Sequence, residues 1–151
     1  MQQIGELGEK LISLWLKSKG YKVLHRCWRC RWGEIDLIAQ EKSTHTLIFV
    51  EVKTRSQSNW DADGILAINS QKQQKIGKTA AIFLAQNPQL ADYPCRFDVA
   101  LVSYQQLDRR SSIVLDNNSY DYQLEKEPPT LRYKQHHLIL KDYLQSAFEF
   151  D

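Results

Sequence analysis

Two apolar stretches in the first third of the chain carry charged residues at alternate positions, a pattern typical of β-strands. They span residues 33–39 and 47–53 and are separated by a short polar segment. Successive side chains of a strand point to opposite faces, so Glu51 and Lys53 share one face of the second strand. In the first strand, we expect one face to hold Glu34, Asp36 and Ile38, and the other to hold Ile35, Leu37 and Ala39.

The polar segment 40–46 is too short for a crossover helix and predicts a hairpin. If Gln40 lies opposite Leu47, then Asp36 lies opposite Glu51, with Cβ atoms about 4.5–5.5 Å apart. Two carboxylates at that distance repel each other unless a proton or cation lies between them. A divalent cation is the simplest occupant of such an oxygen-lined pair. The alternative is an ordinary pair of acids on a solvated sheet face.

Length and composition indicate one domain. The chain has 151 residues, of which 42% are hydrophobic, and it lacks an apolar run long enough to span a membrane. Three cysteines and no visible secretory signal favour a reducing compartment, so we expect a cytoplasmic protein. The formal net charge is +2, with Lys and Arg in excess over residues 1–104 and Asp and Glu in excess over residues 105–151. A mildly basic first part permits nucleic-acid binding.

Periodicity over the first 104 residues predicts an α/β fold with a mixed β-sheet flanked by helices. The predicted elements are a helix over 4–19 ended by Gly20, a short strand over 21–25, a basic aromatic link over 26–32, the hairpin, a helix over 70–87 with a capping box from Ser70 to Gln73, and a strand over 96–104. Residues 105–137 resemble a loop-rich insertion with a short strand at 113–115. Residues 138–150 are predicted to form a closing helix, which completes a single domain over 1–151 whose core is 1–104.

Asp36, followed after fourteen residues by Glu51-Val52-Lys53, resembles the PD-(D/E)XK nuclease motif. A wider set of residues is similar to the YraN-type family of uncharacterised bacterial proteins. The similarity covers Gly8-Glu9, Gly20-Tyr21, Arg26, the runs 33–39 and 49–55, Lys72, Lys75-Ile76, Ala80, Phe83-Leu84 and Arg96-Phe97-Asp98-Val99. It spans roughly residues 5–104, and Cys27 stands where the family usually has Asn.

This resemblance implies a restriction-endonuclease-like core and a metal-dependent nuclease that acts on structured or branched DNA. Asp36 and Glu51 would bind Mg²⁺ or Mn²⁺ with the carbonyl of Val52, Lys53 would orient the attacking water, and Glu9 would complete the site. Glu34 is a weaker candidate for the same site. A homodimer is also implied, because resolvase-like relatives act on two strands as pairs. The alternatives are a non-catalytic nucleic-acid-binding module and a protein-interaction subunit that keep the nuclease fold.

Basic residues in two segments are candidates for DNA contact. Arg26, Arg29 and Arg31 alternate with Trp28 and Trp32, and a second helix carries Lys72, Lys75 and Lys78 at intervals of three. Arginine and aromatic side chains together suit phosphate contact and base stacking, whereas a solvated helix face is the alternative for the lysines.

Other polar motifs are expected to be structural. Asp98 is expected to form a salt bridge with Arg96. The Cys27-x-x-Cys30 motif lacks further zinc ligands at usable spacing, so ordinary thiols are expected there. His136 and His137 are expected to be solvated.

Overall fold

The computed structural model describes residues 4–56, 68–106 and 123–149. Its elements are α1 (Ile4–Ser18), β1 (Tyr21–Cys30), β2 (Gly33–Glu41), β3 (Leu47–Ser56), α2 (Ser70–Gln86), a short 3₁₀ helix (Pro88–Leu90), β4 (Cys95–Gln106), β5 (Gln123–Lys126), β6 (Pro129–Tyr133) and β7 (His136–Phe148). Within these ranges, neither α-helix has the length and apolarity needed to cross a bilayer.

The strands described form one mixed sheet in the order β1-β2-β3-β4-β7-β6-β5. β3 and β4 are parallel, and α2 lies in the connection between them, as a crossover requires. The other neighbours run antiparallel. The predicted α/β class, with a restriction-endonuclease-like core and a mixed sheet flanked by helices, is confirmed.

Each face of the sheet is covered by one helix and has its own hydrophobic core. Leu7, Leu11 and Leu16 of α1 are buried against one face. Phe83 of α2 is buried against the other, where it meets Phe49 of β3. Successive side chains of β3 point alternately into the two cores, so the first half of this strand is a continuous apolar run in sequence.

The termini of the two helices follow their local chemistry. Gly20 follows α1 with a φ of +89°, the left-handed conformation that its sequence position predicted. The start of α2 differs by one residue from the predicted capping box. Asn69, and not Ser70, is the N-cap, because its side chain accepts a hydrogen bond from the backbone N–H of Lys72 at 3.0 Å.

Residues 138–150 were predicted to form a helix, and this prediction is wrong. His136–Phe148 forms β7, which pairs with β4 along most of its length. The pairing contains two irregularities, and Ser146 has a φ of +51°. These irregularities change the alternation of the side chains, so the apolar residues near the end of β7 are spaced as they would be along a helix.

The predicted basic link over 26–32 also takes a different form, since β1 continues to Cys30. In the predicted insertion, β5 and β6 add two antiparallel strands to the sheet, and Leu131 of β6 is buried in the core on the α1 side. The short strand predicted at 113–115 lies outside the described residues.

Candidate functional site

The candidate site lies where β2 separates from β3. Gln40 pairs with Leu47, as predicted, and the register continues to Leu37 opposite Val50. Beyond that pair, the Asp36 carboxylate accepts a hydrogen bond from the backbone N–H of Val52, 2.7 Å from Oδ2. A side chain therefore replaces the next backbone partner, and this opens a gap between the strands.

The side-chain alternation of β2 breaks at the same place. The prediction that Ile35 shares a face with Leu37 is therefore wrong. Ile35 and Ile38 both pack in the core on the α2 side, whereas Leu37 lies in the core on the α1 side. Two residues three positions apart cannot share a face of a regular strand. Cys27, in the neighbouring strand, has a φ of +54°, an uncommon conformation for a residue with a Cβ. These two departures leave the Asp36 carboxyl group at the gap.

Glu9, Asp36 and Glu51 form what we call the acid cluster. The Glu9 side chain approaches Asp36 from α1, and burial raises the pKa of Glu9. Asp36 is 8% exposed. Burial, the nearby Glu51 charge and Glu9 together raise the pKa of Asp36 to about 8, although the Val52 N–H opposes this. Acids from α1, β2 and β3 thus lie near one another.

Lys53 and Lys72 lie beside these acids. The Lys53 Nζ atom is 3.2 Å from Glu51 Oε1, and the Lys53 side chain is 9% exposed. Contact with Lys53 lowers the pKa of Lys72, which approaches from α2. Lys53 and Glu51 therefore form an ion pair, which holds the ammonium group at the edge of the acid cluster.

The donors at this site suit a hard divalent cation. No three His, Cys, Asp or Glu side chains in the described ranges are arranged to hold a metal by themselves. Mg²⁺, however, commonly takes one or two carboxylates and completes its shell with water. Asp36 and Glu51 supply two carboxylates. The carbonyl of Val52 is directed toward the same gap as its N–H, since both groups of a strand residue face the same neighbour.

Glycine at position 8 allows α1 to approach β3 closely enough to place Glu9. A Cβ atom built on Gly8 would overlap the side-chain hydroxyl of Thr54 and lie 3.5 Å from Val52 Cγ1. The Thr54 hydroxyl is buried without a hydrogen-bond partner in the structure. The helix therefore lies directly on the strand that carries Glu51 and Lys53.

We expect Gly8→Ala to lower the free energy of unfolding by about 1–3 kcal/mol, because the added methyl group forces α1 away from Thr54. Urea denaturation followed by circular dichroism measures the change. Gly5→Ala in the same helix is the matched control, since its Cβ would have no atom within 4 Å. That control is expected to gain up to about 1 kcal/mol from helix propensity. Equal stability of the two variants would contradict the close approach.

Of the residues predicted to contact DNA, Arg26 and Lys72 lie near the site. Arg26 lies near enough to Glu9 to oppose the rise in its pKa. Arg29 pairs with Glu34 at 2.9 Å, and the Glu34 charge is near enough to Glu9 to raise the pKa of Glu9. The Arg31 guanidinium lies 5.4 Å from the centre of the Trp32 ring. Lys72 adjoins Lys53, and Lys75 is exposed on α2.

The remaining polar motifs have structural roles. Arg96 and Asp98 form the expected ion pair, at 3.1 Å. Cys27, Cys30 and Cys95 are free thiols, and Cys27 Sγ lies 3.8 Å from a carboxylate oxygen of Glu34. His136 and His137 are partly buried rather than fully solvated, and burial lowers the pKa of each.

Sequence reasoning did not identify two features of the site. One is the role of Gly8, for which the signal was a glycine next to a candidate acid within a helix. The other is the contact between Trp32 and Lys78, whose Nζ lies 5.8 Å from the ring centre. The two residues are far apart in sequence, and no local pattern relates them.

Comparison with other proteins places this site within a family. The sequence profile of the uncharacterised protein family UPF0102 matches residues 8–102, a range that includes Glu9, Asp36, Glu51 and Lys53. The chain belongs to the UPF0102 family.

Relatives of this UPF0102 chain in cyanobacteria are similar over nearly their whole length. A UPF0102 protein of Synechocystis is 42% identical over 151 residues, which are 98% of this chain and 99% of the relative. One from Trichodesmium erythraeum is 41% identical over 95% of this chain and 87% of its own length. One from Nostoc is 48% identical over 83% of this chain and 91% of its own length. The names of these relatives state no activity.

Proposed function

We propose that this protein is a metal-dependent nuclease that hydrolyses phosphodiester bonds of structured or branched DNA. The single observation that carries the proposal is the acid cluster, with Lys53 held at its edge. A buried carboxylate with a pKa near 8, beside two further acids, is unfavourable for a protein in the absence of a cation. Such sites are retained where the charge has a chemical use.

In this proposal, Asp36, Glu51 and the Val52 carbonyl hold Mg²⁺ or Mn²⁺. When bound, the ion neutralises charge on the phosphate and makes a nearby water molecule more acidic. Lys53 orients that water or stabilises the negative charge that develops on the phosphate oxygens. Glu9 lies beside Asp36 and can accept a proton. Lys72 and Lys75 bind phosphates of the DNA backbone that leads into the site.

A non-catalytic nucleic-acid-binding module is the second candidate, and one observation favours it. The Lys53 ammonium already pairs with Glu51 at 3.2 Å, so part of the acidic charge is balanced without a metal. In that case, the protein would bind DNA through its lysines and arginines and leave it intact. A protein-interaction subunit remains the third candidate.

A cleavage assay separates these functions. The purified protein is incubated with labelled single-stranded, duplex, flapped and four-way DNA in Mg²⁺ or Mn²⁺. We expect cleavage of a branched substrate, and we expect Asp36→Asn and Glu51→Gln each to reduce its rate at least about 100-fold. Glu41→Gln is the matched control, because Glu41 lies at the far end of β2 and bonds Ser43 and Thr44.

The outcomes are distinct. Cleavage that persists in both site variants would contradict the nuclease proposal. Binding without cleavage by any form would support the second candidate. The absence of binding to any nucleic acid, RNA included, would leave the interaction role.

A further inference from the structure

Trp32 is the most exposed large hydrophobic residue among those described, with 56% of its surface accessible. It lies in the turn between β1 and β2, and its backbone N–H donates a hydrogen bond to Cys30 Sγ at 3.4 Å. The Arg31 guanidinium and the Lys78 ammonium lie 5.4 Å and 5.8 Å from the ring centre. We call Arg31, Trp32 and Lys78 the stacking patch.

The other tryptophans in the described ranges are packed into the protein. Trp15 contacts Tyr143 at 4.8 Å between ring centres, and Trp28 contacts Phe83 at 5.3 Å. Both are part of the contacts around the two cores. Trp32 contributes little to either core, so the exposed indole has no evident structural task. An exposed aromatic ring with two cations nearby offers a flat surface for a base and positive charge for the neighbouring phosphates.

The stacking patch is continuous with the acid cluster. Trp32, in the turn just before β2, precedes Asp36 by four residues, which span at most about 13 Å of extended chain. On α2, Lys78 lies six residues beyond Lys72, or about 9 Å along the helix axis, with the exposed Lys75 between them. Lys72 in turn contacts Lys53. A row of positive charge therefore leads from the indole to the acids.

We propose that Trp32 stacks against an unpaired nucleobase, so that a single-stranded segment of DNA runs along the lysine row of α2 into the acid cluster. Bases within a duplex already stack on each other and cannot present a free face to the indole, whereas unpaired bases can. This inference rests on the proposed function for the identity of the site. It adds that the substrate is single-stranded beside the cleavage point, and it assigns Trp32 to substrate binding.

Binding measured without cleavage tests the proposal. Fluorescence anisotropy of a labelled oligothymidylate and of a blunt duplex is recorded in EDTA. We expect Trp32→Ala to weaken binding of the single strand about tenfold or more, and Trp32→Phe to retain most of it. The same Trp32→Ala variant should change duplex binding less than about twofold. Lys78→Gln should reduce the slope of the binding constant against salt concentration, on logarithmic axes, by the amount expected for about one phosphate contact.

Tyr93→Ala is the matched control for the loss of an exposed ring. Tyr93 is 38% exposed and stacks on His45, next to Pro94, whose carbonyl bonds the first residue of β3. It therefore lies at the opposite end of β3 from Lys53, and we expect no change in single-strand binding.

Two results would overturn the proposal: unchanged single-strand binding by Trp32→Ala, or an equal loss for the single strand and the duplex. Because no metal is present, the result does not depend on catalysis. Selective loss of single-strand binding, together with no metal-dependent cleavage, would support the stacking patch and reject the nuclease. If the wild type cleaves DNA but Trp32→Ala binds single strands normally, the nuclease proposal would be supported and the stacking patch rejected.

Discussion

Asp36→Asn is expected to raise the free energy of unfolding of the metal-free protein at pH 8 by several kcal/mol. In the folded state, burial and the neighbouring acids raise the pKa of Asp36 to about 8, whereas an unfolded aspartate titrates near pH 4. The folded state therefore binds the proton more tightly between these values. Stability of the metal-free wild type is greatest at the acidic end of this window and falls as the pH rises through it, by up to about 1.4 kcal/mol per pH unit. Asparagine stays neutral and should not show this loss.

Urea denaturation in EDTA at pH 5 and at pH 8 measures the effect. Asparagine can still accept the hydrogen bond from Val52, so the gap between β2 and β3 is expected to keep its form. Asp142→Asn is the control, since Asp142 is exposed on β7 and should not alter the pH dependence. Suppose that the wild type is equally stable at both pH values and that Asp36→Asn gains nothing. Neighbouring groups of the protein would then balance the negative charge of Asp36 without a cation.

The divalent cation should stabilise the wild type and have no effect on Asp36→Asn. At pH 8, a ligand that binds the folded state adds stability that grows with the logarithm of its concentration above its dissociation constant. Mg²⁺ or Mn²⁺ should therefore restore the wild type toward its stability at pH 5. The same additions should leave Asp36→Asn unchanged. An arrangement that destabilises the empty protein and is relieved by a cation is the trade between stability and function expected of a catalytic site.

Local patterns in the sequence predicted much of the fold correctly. The apolar stripe of α1, the Gly20 that ends it and the register of the hairpin all depend on residues near one another in the chain. The two chemical faces of β3 follow from a period of two that is intact through Lys53. For the same reason, the sequence alone predicts that Glu51 and Lys53 share one face.

The errors occurred where the backbone departs from regular geometry. β7 resembles a helix in sequence because its pairing with β4 shifts twice, and these shifts depend on a partner strand far away in the chain. The face of Ile35 was wrong because the alternation of β2 breaks at Asp36, opposite the unusual backbone of Cys27. Within the site, the approach of Glu9 depends on contact between Gly8 and Thr54, which only the packing of α1 on β3 reveals.

Asp98→Ala is expected to cause the largest loss of stability, about 3–5 kcal/mol. The Asp98 side chain is fully buried, and it accepts hydrogen bonds from Arg96 at 3.1 Å, Tyr143 at 2.6 Å and the backbone N–H of Ser146 at 3.0 Å. Burial and the Asp98 charge raise the pKa of Tyr143, which keeps its hydroxyl a donor. Removal of the carboxylate leaves the Arg96 charge without its partner. It also removes the hydrogen bond that Asp98 accepts from Ser146 where β4 and β7 pair irregularly. Urea denaturation measures the loss.

Glu34→Gln is the matched control, because Glu34 forms an ion pair of similar length with Arg29. Both of those side chains are at least half exposed, so the urea midpoint should not change. A second variant that combines Asp98→Ala with Arg96→Met should recover part of the loss, since it removes the unpaired charge. If Asp98→Ala is no more harmful than Glu34→Gln, water must satisfy Arg96 and Tyr143 in place of the carboxylate. In that case, the irregular pairing of β4 with β7 would not depend on Asp98, and its cause would lie in the packing of Tyr143 against Trp15.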